Sequence, residues 1–231
     1  MKRFAAPLLA AALLLPPGAS AFGQTTLTVT TGVNRTSIGV NLARYVYPHF
    51  DNHRHPDFRS ATGATVGLAV TRPLSGNLSL EVGSLYSKKG TRWKGGSDGV
   101  NFEARMEPEY LEVATLLKVG LGLPGSRISA YATAGPAVAF RTSCEWNEVV
   151  SIRGLVINEV NARCGRVGLG LSRFDFGLSG GAGVETALSD GVGVSVGVVH
   201  TLGLKNVGAH RAGHLKNRAM SLRAGIVTPI G

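Results

Sequence analysis

Beyond its N-terminal segment the sequence has no run approaching the roughly 18 consecutive apolar residues of a transmembrane helix. No segment carries a convincing 3.6-residue apolar stripe either, which excludes a helical bundle. Hydrophobic content is an ordinary 44%, so the period of the apolar positions, not their number, has to identify the fold. Cysteine is confined to Cys144 and Cys164. Neither sits in a C-x-x-C pair or a Cys/His ligand array, which leaves redox catalysis and a zinc site unsupported. The "GGAGVE" stretch is no dinucleotide fingerprint, since no helix follows it.

What is present begins with a leader. Lys2 and Arg3 precede the apolar stretch from Phe4 to Leu15, Pro16-Pro17-Gly18 break it, and Ala19-Ser20-Ala21 supplies a small-x-small cleavage pattern. Residues 1–21 therefore read as a secretory signal peptide, and residues 22–231 as one domain. In an exported chain two cysteines fit one disulfide, Cys144–Cys164. The 24 basic and 14 acidic side chains leave a charge of +8 once Lys2 and Arg3 go with the leader. That balance suits an anionic partner, and export favours lipid phosphates over nucleic acid.

The dominant period is two. In "VGVSVGVV", residues 192–199, valine alternates with glycine or serine. Eight strands follow, near 26–38, 61–74, 78–93, 104–122, 127–143, 173–188, 192–205 and 216–230. Their connections alternate between tight turns (75–77, 123–126, 189–191) and long polar loops (39–60, 94–103, 144–172, 206–215). Tight turns at one end and long loops at the other mark a membrane barrel, in which the apolar set faces lipid and the small or charged set faces the lumen. The expected fold is all-β, a closed eight-stranded antiparallel up-and-down transmembrane β-barrel. Pro136 lacks an N–H and predicts a bulge.

Parity places Glu81, Glu112, Lys118, Glu185 and Arg223 in the lumen beside Tyr110 and Tyr131, where buried charges must pair. It pairs Glu81 with Lys118 and sets Glu112 and Arg223 at similar height. Tyr86, Phe140, Phe174 and Phe176 point outward near the long-loop end, as an outer aromatic girdle. In the first loop His49, His53 and His55, with Asp51 and Asp57, are ligand types for zinc or copper. Pro48 and Pro56 bracket a loop with no fixed geometry there, so a solvated polar loop is the primary reading and no metal or other cofactor is expected. Basic loop residues such as Arg59, Arg153, Arg163, Lys216 and Arg218 suit lipopolysaccharide phosphates. The lone strand histidine, His200, lies on the lipid face without the serine and carboxylate of a hydrolase.

Taken together, "GATVGLAVTRPLSGNLSLEVGSLYSKKG", "EYLEVATLLKVGL", "AYATAGPAVAF" and "FDFGLSGGAGVETAL" resemble the porin-family outer-membrane β-barrel proteins of OmpA/OmpX and PorT-like type. The resemblance implies an integral protein of a Gram-negative outer membrane, delivered by the outer-membrane assembly machinery. It implies no reaction. The expected role is structural, envelope-interacting or surface-binding, in a monomer surrounded by outer-membrane lipids, with an ionic network plugging the lumen. A small passive pore and a lipid A-modifying enzyme are the alternatives.

Overall fold

The computed structural model describes residues 24–39, 57–97, 99–122, 127–166, 171–189, 191–207 and 216–230. The leader with its cleavage site, His49, His53 and His55, and the 123–126 turn lie outside the described residues. Ten strands run β1 (Thr26–Gly39), β2 (Asp57–Ser75), β3 (Leu78–Lys88), β4 (Thr91–Ser97), β5 (Val100–Gly122), β6 (Ile128–Ile152), β7 (Leu155–Arg163), β8 (Phe174–Ser189), β9 (Val192–Gly203) and β10 (Lys216–Pro229). All pairings are antiparallel. Eight strands close a ring, β1–β2–β3–β5–β6–β8–β9–β10, sealed where Thr26 meets Pro229 and Gly39 meets Lys216. Closure leaves no open edge within the ring, as backbone in hydrocarbon requires.

The faces follow the alternation. Val196, Val198, Leu178 and Leu222 are exposed on the outer wall, between 43% and 52% accessible, whereas Ser195, Ser179 and Ser221 are buried inside. In "VGVSVGVV" the valines answer to acyl chains. The facing glycines make room: a Cβ on Gly183 or on Gly197 would stand 2.5 Å from the Tyr131 hydroxyl, which crosses the interior from β6. Gly76 and Gly191 turn the β2/β3 and β8/β9 hairpins with positive φ of 50° and 92°, which costs glycine least.

Three expectations change. Residues 94–103 form a hairpin in which β4 and β5 pair from Ser97/Val100 to Thr91/Met106. The outward Lys94 and Glu103 face each other across it in a 2.7 Å ion pair, so its polarity belongs to a solvated strand face. Much of the 144–172 segment is also sheet: β6 runs on to Ile152, and β7 returns along it. Arg153 and Gly154, at φ 48° and 85°, make the two-residue turn, the positive-φ pair that twisted hairpins favour.

Third, Pro136 makes no bulge. The β5–β6 register is the same on either side of it, although the ladder lapses where Gly135 and Pro136 face Thr115 and Leu116. A missing donor matters little where no rung is made. The register shift lies higher: Glu109 faces Ser143 but Tyr110 faces Arg141, so Thr142 is the extra residue of β6. Its insertion moves the inward set from odd positions (Thr133, Ala137, Ala139) to even ones (Cys144, Trp146).

Candidate functional site

The interior has two storeys. Low in the ring, the Lys118 ammonium on β5 pairs with the Glu185 carboxylate on β8, and stands 4.4 Å from the Tyr131 ring centre. Lys118 thus reaches past β6 to Glu185 rather than to Glu81. Glu81 instead accepts a long 3.4 Å hydrogen bond from the Thr71 hydroxyl. Arg223 is half-buried, and its Nε has no hydrogen-bond partner among the described residues.

Higher up, Glu112 pairs not with Arg223 but with Lys89, at 3.1 Å, and both side chains are nearly fully buried. The Lys89 ammonium also lies 5.1 Å from the Tyr110 ring centre. The Asn217 amide donates to Asp175 Oδ2 at 2.7 Å and to the Tyr110 hydroxyl at 3.4 Å. Lys89, Glu112, Asp175 and Asn217 line a cavity of about 10 Å³, room for a single water. Asn34 donates to the Ser87 hydroxyl at 2.8 Å, and the Thr36 hydroxyl bonds both the N–H and the carbonyl of Gly90. Desolvated charges of this kind hold only when paired.

The lumen network read from the sequence omits Lys89, Asp175 and Asn217, although Asp175 falls on the inward alternation of its strand. The parity that carries Leu85 and Ser87 inward also carries Lys89, one residue beyond the end of β3. Asp175 and Asn217 likewise share the parity of the buried Ser179 and Ala219. Continuing each alternation to the strand end finds all three.

Above this polar storey the interior becomes apolar. Trp93 of β4, Phe102, Ala104 and Met106 of β5, and Trp146 of β6 pack into one cluster, joined by Leu171 and Val207 from the connecting segments. The two indoles stand 4.8 Å apart at 55°. Cys144 and Cys164 form a disulfide within this cluster, with Cα atoms 5.5 Å apart, tying β6 to the segment after β7. At the boundary Glu107 pairs with Lys88 at 3.2 Å and with Arg105.

On the outer wall Tyr86, Leu111, Phe140 and Phe174 form one cross-strand row, with Phe140 and Phe174 in edge contact at 5.4 Å. Phe176 follows on β8, opposite Val138. His200 is exposed on that wall, in register with Met220 and Gly180.

With this geometry in hand, a family model described as an outer membrane protein beta-barrel domain matches residues 22–207. Among solved structures, Neisserial surface protein A (NspA) is 14% identical with a TM-score of 0.44, over 88% of this chain and 97% of that one. The outer membrane protein OprG from Pseudomonas aeruginosa is 14% identical with a TM-score of 0.45, over 90% and 97%. A search of curated proteins gives no match.

Proposed function

The chain belongs to the outer membrane protein beta-barrel domain family, and from that premise we propose a non-conducting integral barrel of the Gram-negative outer membrane that acts through its exposed surface rather than by catalysis. The leader is cleaved after Ala21, and the mature protein works as a monomer delivered by the outer-membrane assembly machinery. The observation that carries the reading is the buried Lys89–Glu112 pair. It sits with Asp175, Asn217 and Tyr110 directly beneath the Trp93/Trp146 cluster. Ions crossing here would have to open a desolvated ion pair and then part an apolar core, and both steps are costly. An eight-stranded ring is just wide enough to be filled by its own side chains, which supports the same conclusion. The β4/β5 hairpin and the β6/β7 hairpin, the latter pinned by the disulfide, then offer the surface at which an envelope or external partner is met.

Single-channel recording in planar bilayers tests this. The wild-type protein should give no resolved steps, and the Lys89→Ala/Glu112→Ala pair should raise the frequency of brief openings. A steady ohmic conductance from the wild type overturns the proposal in favour of a small pore.

A further inference from the structure

The aromatic row on β3, β6 and β8 covers only part of the outer belt. Strands β9, β10 and β1 contain no phenylalanine, tyrosine or tryptophan. Near their outer ends the wall carries basic side chains instead. Arg35 of β1, Arg218 of β10 and His200 of β9 are all exposed on the outward parity, and Arg59 of β2 joins them. Register brings them together. Arg35 faces Met220, which faces His200, and Arg218 is two residues from Met220 along the same outward face. Diagonal neighbours of this kind stand roughly 7–8 Å apart at the backbone, within reach of two guanidinium arms. The Arg35 Nε donates to the Ser60 hydroxyl at 2.5 Å, which anchors that arm. These side chains line an open groove of about 610 Å³ whose described lining has three guanidiniums, one imidazole and no carboxylate.

The Arg35 and Arg218 guanidiniums, held side by side on a lipid-facing wall, repel one another unless an anion sits between them. The belt is also the height at which lipid headgroups lie. We propose that this groove binds the phosphorylated headgroup of an outer-leaflet glycolipid. The phosphate would be held bidentately by Arg35 and Arg218. His200 would contact a remaining oxygen, and exposed Met220 would lie against the first acyl carbons. The inference goes beyond the non-conducting reading, since a conducting barrel would carry the same groove.

The test uses the full mature protein in phosphatidylcholine nanodiscs doped with lipid A, either phosphorylated or enzymatically dephosphorylated, with retained lipid counted by native mass spectrometry. Wild type should retain the phosphorylated form at least about tenfold better, the scale of one charge-assisted hydrogen bond. Arg35→Gln/Arg218→Gln should lose that preference. Lys94→Gln/Arg153→Gln removes the same charge from the hairpins and should keep it. All four residues are exposed, and an intact heat-modifiable gel band confirms folding of each variant. Equal retention of the two lipids overturns the proposal. So does equal loss in the hairpin control, which would mean diffuse attraction. Full displacement by millimolar inorganic phosphate overturns it too, by making the groove a free-anion site.

Discussion

The two halves of β5 answer to opposite solvents. From Gly120 up to Tyr110 the outward side chains are Val119, Leu117, Thr115, Val113 and Leu111, and the inward ones include Lys118, Glu112 and Tyr110. From Glu109 to Asn101 the assignment inverts: Glu109, Arg105 and Glu103 look out, while Met106, Ala104 and Phe102 are buried. Nothing in the backbone changes at that point on β5. The surroundings change from hydrocarbon to water, and each face takes the side chains its own solvent rewards. The lower region is held by a few paired charges, the upper by apolar burial and one disulfide. The two regions should therefore fail in different ways.

Both tryptophans of the chain, Trp93 and Trp146, lie in the upper region. Their fluorescence follows that region alone, while heat-modifiable migration follows the ring. The largest effect is expected from Glu112→Leu, which leaves Lys89 buried without a partner at a cost of about 3–5 kcal/mol. It should lower the urea midpoint for loss of the compact gel band, and adding Lys89→Met should recover most of the loss. A double variant as unstable as the single one would show that the pair is not what stabilises the lower region.

Next, removing the disulfide through Cys144→Ser/Cys164→Ser frees a 20-residue separation and should cost about 3 kcal/mol. The loss should appear in the tryptophan transition while gel migration is unchanged. Coincident shifts in both probes would mean that the two regions unfold as one. The smallest effect belongs to Gly183→Ala. The new methyl would fall on the Val196 carbonyl and 2.5 Å from the Tyr131 hydroxyl, for a cost of about 1–3 kcal/mol. The probes should trade places relative to the disulfide variant: a lowered gel midpoint with an unchanged tryptophan signal.

The same contrast explains what could be read from the residues alone. Within the bilayer the environment is uniform around the ring, so the valine, glycine and serine alternation of β9 speaks for itself. Parity also brought Glu112, Lys118, Glu185 and Arg223 to the interior, but not their pairing. Lys118 chose Glu185 on β8 because the interior of a narrow ring lets a long side chain pass over a strand. Above the bilayer the pattern inverts, so "KGGSDGVNFE" looks like a polar loop unless Trp93, Phe102 and Ala104 are recognised as a second inward set. On β6 no single alternation spans the strand, because Thr142 interrupts it.

That interruption behaves like a punctuation mark between two texts printed on one strand. Delete Thr142 alone and plain alternation runs through the strand: Arg141 and Ser143 become neighbours on opposite faces, Cys144 and Trp146 still face in, and what is lost is the bend and added twist of the bulge. Anyone transplanting the outer hairpins onto another scaffold could drop this one threonine and keep every inward side chain, giving up only the curvature it puts into the wall.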